Sequence, residues 1–393
     1  VTQDLRPDWG RARRISYQAA TALADESVAL ADATGRRLSG DLLALCNLPH
    51  YASSAMDGWA VAGSAPWTIV ARAPLGDAQA IATVTGAAIP AGATAILRGE
   101  HAVQFSDGSR ELLTTTPDAR ADEPRPGDHL RAAGTEAVIG ERLIAAGRIL
   151  NPAHIALAAA AGHDRLAVAA RPRIALVSTG DEVVERGIPR DGEVRDSFGP
   201  VLPPLLRQLG AVTKDSIHIS DSLSAMTAAL SRNPSVSDVV ITTGGTGRSG
   251  ADHLHGALAQ LGAPILIDGV RMRPGGPSLL ARLPDGRLLI GLPGNPLAAL
   301  LALFTLGEPL FAALTGGPEP TTGSVVAGVD LAGRPDTSRL VPFRRVEGVA
   351  VPTGWRASAM IRGLAESDGV MICPPDGAVV GQVVPAIRLP WNP

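Results

Sequence analysis

The pattern of apolar and polar positions changes period several times along the chain. From Ser16 to about Ala33 apolar and small residues recur at helical spacing, broken by Asp25 and Glu26, which predicts a helix ending near Gly35. Between Arg37 and His129 the period shortens. WTIVARA, AIATVTG, TAILRGE, HAVQF and ELLTTT are short runs split by Gly, Pro and Asp, predicting a mostly β region closed by the loop TPDARADEPRPGD. Asn151 followed by Pro152 then marks a helix start and Gly162 its stop. This helix is expected to pack with the N-terminal one, making the β region an insertion between two halves of a small helical domain.

From Arg173 to about Gly316 strand and helix patterns alternate: RIALVSTG, DSIHIS, DVVITTGG, ILIDGVRM, SLLARL and LLIGLPG, with helical stretches between most of them. That alternation predicts a doubly wound α/β sheet whose ligands bind at the carboxyl ends of its strands. Its first helix is expected to begin near Pro203, where proline in the first turn is tolerated. The most apolar stretch, LAALLALFTLGEPLFAAL, is interrupted by Gly307, Glu308 and Pro309 and reads as a buried helix. After Pro318 short β runs return, with ASAMIRGLA as a helical insertion, and predict a small β-barrel or sandwich. The expected division is 1–36 with 130–170, 37–129, 171–317 and 318–393.

Two glycine-rich turns, TTGGTG and LPGNP, lie about fifty residues apart at strand-to-helix junctions. Glycine lets backbone approach a phosphate, and the helix behind it offers free N–H groups and a positive dipole end. An anionic ligand is the first expectation. Neither turn is a Walker loop or a dinucleotide fingerprint.

Composition narrows the partners. The 393 residues carry a formal net charge of −3, which argues against non-specific nucleic-acid binding. Positive charge is almost all arginine, Lys214 being the single lysine. Cys46 and Cys373 have neither disulfide-framework nor zinc spacing. With no signal core and no uninterrupted membrane-spanning run, a cytoplasmic protein is expected.

Acidic turns supply the candidate chemistry: Asp57 in SSAMDGWAV, Asp181 and Glu182 in STGDEVV, Asp221 in HISDS, and Asp252 in SGAD. Carboxylates at strand ends beside phosphate-cradling glycines suit Mg²⁺. The same aspartates equally suit helix caps and turns.

Taken in order, SAMDGWAV, VTGAAIPAG, STGDEVV, TTGGTGRSGAD, RPGGP and GLPGNP resemble the molybdopterin molybdenumtransferase family (MoeA, and the E domain of gephyrin) over nearly the whole chain. The resemblance implies four domains, a homodimer, and Mg²⁺-dependent insertion of molybdate into adenylylated molybdopterin with release of AMP. It also implies a cleft between the α/β domain of one subunit and the β domain of the other. Carried onto this sequence, it makes Asp57, Glu182, Asp221, Asp252 and Arg273 catalytic, with Glu182, Asp221 and Asp252 at the metal. Binding of the pterin falls to Thr85 and Glu136, to Thr179, Gly180, Asp181 and Ser197, and to Gly244, Gly245, Thr246, Gly247 and Ser249. Pro274 and Gly275, then Pro293, Gly294, Asn295 and Pro296, complete that set. The adenylyltransferase and the recipient molybdoenzyme apoproteins are the implied protein partners.

Departures from the family pattern are specific. Arg273 stands where the family has lysine, Gly276 where a second lysine is often seen, Phe198 where it has the asparagine of DSN, and Trp59 where it has tyrosine. Guanidinium and ammonium are not equivalent at an oxyanion. A non-catalytic molybdopterin-binding paralogue or assembly scaffold is therefore the alternative, and an adenylyltransferase suggested by TTGGTG is a third reading.

Overall fold

A computed structural model describes residues 4–232, 237–246, 253–355 and 360–392. The chain forms two units, Val1–Glu26 with Ala169–Pro393, and Ser27–Val168. The first helix, α1 (Trp9–Gln18), starts well before the position that the apolar spacing predicts. Its buried face is Trp9, Ala12, Arg13 and Ser16, so two of the four inward residues are polar and the stripe does not show in the hydrophobic pattern. Asp8 caps it, its carboxylate accepting from Arg11 N at 2.8 Å. Residues Asp25–Ala29 are a strand paired with Arg165–Ala169 rather than helix.

In the Ser27–Val168 unit, β1 (Gly58–Ala62), β2 (Trp67–Ile69), β3 (Gln79–Thr83), β4 (Ala95–Arg98), β5 (Ala102–Ser106) and β6 (Glu111–Thr115) form one sheet in the order β4-β1-β3-β2-β6-β5. Val61, Trp67, Ala80, Leu97 and Leu113 fill one face of it. The helix α2 (Pro152–Ala160) begins where Asn151 predicts, with Asn151 and His154 bonding reciprocally as a capping box. Its Ala158 packs with Leu38, Leu42, Ile144 and Leu166.

The other unit holds the α/β sheet. Strands β7 (Arg173–Thr179), β8 (Val212–Ile219), β9 (Val239–Thr243), β12 (Leu279–Arg282) and β13 (Leu288–Leu292) join β10 (Ile265–Asp268) in the order β8-β7-β9-β13-β12-β10. The first four in that order are parallel, β12 runs antiparallel to β13, and β10 antiparallel to β12. Helices α3 (Leu202–Gln208), α4 (Leu223–Leu230) and α5 (His253–Gln260) supply crossovers. The short strand β11 (Met272–Arg273) leaves this sheet and pairs with Ser338 and Arg339 of the C-terminal one.

After β13 come α6 (Pro296–Ala302), a π-helical turn (Leu303–Gly307) and α7 (Glu308–Leu314). By length and composition this run suits a membrane, yet 89% of its most apolar window is buried inside the protein. Burial of side chains such as Phe304 and Phe311 stabilises the unit by roughly 1.5–3 kcal/mol each. Pro309 has no N–H for the carbonyl four residues back, and the helix widens at that place. The helix α1 satisfies the groups freed there. Arg13 donates to Phe304 O at 2.7 Å, Ser16 to Leu306 O at 2.6 Å, and Trp9 to Thr305 Oγ1 at 3.0 Å. The partner expected for the N-terminal helix was the one at 152–160; the hydrogen-bonded partner is the π turn.

The C-terminal sheet runs β11-β15-β17-β18-β14, from β14 (Gly323–Val326), β15 (Ser338–Val346), β17 (Gly369–Cys373) and β18 (Val383–Arg388), with β16 (Val349–Pro352) on the other side of β15. A bridge links Ala327 with Ala350, beyond the ends of the main path.

Candidate functional site

The parallel strands deliver four turns to one cavity of about 410 Å³. Its walls are Thr179, Gly180 and Glu182 after β7, Asp221 after β8, Thr243 to Thr246 at and after β9, and Gly294 and Pro296 after β13. Asp196, Ser197 and Phe198 close another side. The glycine turn is tight for a physical reason. Gly244 has φ +87°, and a Cβ there would lie 2.8 Å from Thr179 Oγ1. Behind Gly294, Asn295 caps α6 by accepting from Ala298 N at 3.0 Å. The cavity thus faces a helix start and left-handed glycine backbone, both suited to an anion.

The carboxylates are held by local geometry. Asp181 and Asp221 sit on adjacent loops, each accepting from the other's backbone N–H at 3.4 Å. Asp221 and Glu182 line the cavity; Asp181 does not. Asp196 accepts from Phe198 N and Gly199 N, and is a turn former. Phe198 packs against the core as it lines the cavity, so no amide is presented at that position. Among the described residues no group of three or more His, Cys, Asp or Glu side chains could hold a metal. Glu182 and Asp221, with Asp196 engaged by backbone N–H groups and no sulfur or imidazole in the lining, are nonetheless a hard-oxygen donor set, which fits Mg²⁺ sharing its shell with ligand oxygens. Gly247, Ser249 and Asp252 lie outside the described residues.

Arg273 does not line this cavity. It lines a second one of about 390 Å³ with Pro274, Gly275, Pro293 and Asn295, and with Arg6 and Arg334, which the motifs do not reveal. No carboxylate lines it. A third cavity of about 490 Å³ shares Arg273, Pro274 and Arg334 and adds Arg339, Asp330 and Trp355. The turn Pro293–Pro296 is the common wall: Pro293 and Asn295 face the arginines, Gly294 and Pro296 the carboxylates. One predicted constellation is therefore two cavities, one lined by Glu182, Asp196 and Asp221 with Arg195, the other by arginines without a carboxylate.

In the Ser27–Val168 unit, Asp57 and Thr85 meet as the sequence order alone does not reveal. Thr85 N and Oγ1 both donate to Asp57 Oδ1, at 2.7 and 2.9 Å. These bonds, the backbone N–H first, hold the Asp57 carboxyl below the usual carboxylate range. Glu136 lies on a different turn, its N–H donating to Leu48 O at 2.8 Å, and neither bond to Asp57 involves it.

The architecture is that of a multidomain α/β protein with a mostly β insertion and strand-end turns suited to anions. Three family models match it in succession: the MoeA N-terminal region (domain I and II) over residues 9–162, the probable molybdopterin binding domain over 175–313, and the MoeA C-terminal region (domain IV) over 324–389. A molybdopterin molybdenumtransferase of Nostoc is 33% identical over 312 residues, 74% of this chain and 70% of that one. Molybdopterin molybdenumtransferase 2 of Mycobacterium tuberculosis is 30% identical over 381 residues, 89% of this chain and 91% of its own. The crystal structure of a molybdopterin biosynthesis MoeA protein from Pyrococcus horikoshii shares the fold, with a TM-score of 0.75 at 23% identity over 98% of this chain and 99% of that one. The chain belongs to the MoeA family of molybdopterin molybdenumtransferases, as its motifs suggest.

Proposed function

We propose that this protein acts in molybdenum cofactor biosynthesis by inserting molybdate into adenylylated molybdopterin with release of AMP, working as a cytoplasmic homodimer. The observation that carries the reading is the pair of cavities on either side of Pro293–Pro296, one lined by glycine backbone, carboxylates and Arg195, the other by guanidiniums without acids. The first suits a pyrophosphate, the second a tetrahedral oxyanion. Thr179, Gly180, Gly244, Gly245 and the start of α6 orient the phosphates, and Asp57 accepts hydrogen bonds as a carboxylate. Glu182 and Asp221, with Asp252 from the sequence pattern, would hold Mg²⁺, whose charge offsets that of the pyrophosphate as AMP leaves. Arg273 binds the oxyanion through a charge-assisted contact. The bridge between Ala327 and Ala350 supports reading the C-terminal sheet as a closed barrel.

One observation favours a second reading. Phe198 is packed against the core where the family presents an asparagine, which suits a paralogue that binds the pterin without transforming it. Incubation with adenylylated molybdopterin, Mg²⁺ and molybdate separates the two: molybdate-dependent AMP release is expected, and tight pterin binding with no AMP at any molybdate or tungstate concentration establishes the paralogue. The dimer is tested by complementation. Mixed Asp57→Asn and Asp252→Asn subunits recover activity if the cleft is shared, whereas a stable, fully active monomer in sedimentation excludes it.

A further inference from the structure

The carboxylate cavity also has an apolar lining that its glycine turns and acids do not account for. Val183, Val194 and Phe198 belong to it, and all three come from one segment, 183–198. Val183–Val184 pairs in parallel with Val194–Arg195, and Asp196 N donates to Val184 O at 2.9 Å, so the two ends of that segment are joined beside the cavity. Val194 is 54% exposed. Apolar side chains in the wall of a polar cavity leave water only when an apolar part of a ligand covers them.

Phe198 is the member of this lining whose position is fixed by its turn. Asp196 Oδ1 accepts from Phe198 N at 2.8 Å and from Gly199 N at 3.0 Å, and Phe198 O accepts from Leu202 N at 2.8 Å where α3 begins. A Cβ on Gly199 would collide with the Asp196 carboxylate, so the turn is tight as well as hydrogen-bonded. The ring is half-buried, packed against the core while it lines the cavity. A phenyl ring has no donor or acceptor in its plane; what it offers a ligand is a flat face, here pre-organised. The asparagine of the family pattern offers the opposite, an amide that meets the edge of a ligand through directed hydrogen bonds.

We infer that Phe198 is a binding residue for a planar fused heterocycle, which stacks on its ring while the phosphates lie at the glycine turns. This rests on the reading of the cavity as the site of adenylylated molybdopterin. That ligand carries two rings of this flat chemistry, adenine and pterin. Stacking on an aromatic side chain tolerates changes of ring substituent and contributes about tenfold or more in affinity. Position 198 therefore selects for a flat ring rather than for a particular edge.

The test is calorimetric titration of the full chain, with Mg²⁺ present, by three probes: AMP, ribose 5-phosphate, which lacks the base, and neopterin, which lacks the nucleotide. Wild type should bind at least one ring-bearing probe about tenfold more tightly than ribose 5-phosphate. Phe198→Leu keeps an apolar side chain against the core and removes the aromatic face. It should lose most of that advantage while binding ribose 5-phosphate as wild type does, and Phe198→Tyr should keep it. An effect confined to AMP places adenine on Phe198, and one confined to neopterin places the pterin there. Equal weakening of all three probes in Phe198→Leu overturns the inference, because the residue then only shapes the turn. Unchanged binding of AMP and neopterin in that variant overturns it too, as does a wild type that gains nothing from either ring. Wild-type protein that binds none of the three removes the reading of the cavity itself.

Discussion

The two cavities that share the Pro293–Pro296 turn differ in charge: Glu182, Asp196 and Asp221 with Arg195 line one, and Arg6, Arg273 and Arg334 without a carboxylate line the other. In the first, Arg195 donates to the backbone carbonyls of Val184 and Glu185 and forms no ion pair with a lining carboxylate among the described residues. Arg13 shows the contrasting case elsewhere in the unit: buried, it pairs with Glu308 at 2.8 Å and donates to Phe304 O, so its charge is fully engaged. Separation by one turn keeps both sets available. It also places a metal-compatible wall beside an oxyanion-compatible wall without mutual neutralisation.

That comparison breaks most sharply at the acidic wall. Glu182→Gln or Asp221→Asn keeps shape and removes charge; molybdate-dependent AMP release should fall by at least about a hundredfold, with adenylylated pterin retained nearly as in wild type. Equal losses of binding and turnover would mean that the carboxylates act on ground-state binding. The basic wall should respond in a different observable. Arg273→Ala should weaken tungstate binding by about 1.5–3 kcal/mol in calorimetry, leaving pterin affinity largely intact, and Arg273→Lys should keep part of it.

The shared turn and its neighbours give smaller, structural effects. Gly244→Ala places a Cβ at φ +87° and 2.8 Å from Thr179 Oγ1, and should cost about 1–2 kcal/mol in denaturant unfolding while impairing pterin binding. Asn295→Ala removes the α6 cap and should cost about 1 kcal/mol. The smallest effect belongs to the acid limb of the stability profile. The folded-state pKa of Asp57 is depressed by Thr85, so its contribution is present above the ordinary carboxylate range and is lost as pH falls through the lowered value. Thr85→Val removes the hydroxyl donor but keeps the N–H; the Asp57 titration followed by NMR should move part of the way back up, with a correspondingly smaller loss of stability in acid.

Much of this was legible in the linear pattern. Alternation between Arg173 and Gly316, the start at Asn151, the glycine turns and the buried character of 296–314 all follow from local chemistry that each segment carries by itself. The interruption by Gly307, Glu308 and Pro309 marked the place, and the structure shows it to be a π turn over Leu303–Gly307. The N-terminal helix was misplaced because Arg13 and Ser16 face inward, and a polar residue on a buried face erases the periodicity that signals a helix. Arg334 carried no signal at all, since a lone arginine in a polar turn looks like any solvated surface residue.

Sequence alone determined most of the elements, the family and the residue types able to bind anions and a hard cation, because these depend on short-range periodicity, turn chemistry and ordered motifs. Only the tertiary structure decided which of those residues share a cavity. It put Glu182 with Asp221, Asp57 with Thr85, and Arg273 with Arg6 and Arg334. The physical reason is that charge pairing depends on distance in space, which strand order and loop packing set across hundreds of residues, and no local pattern encodes that distance.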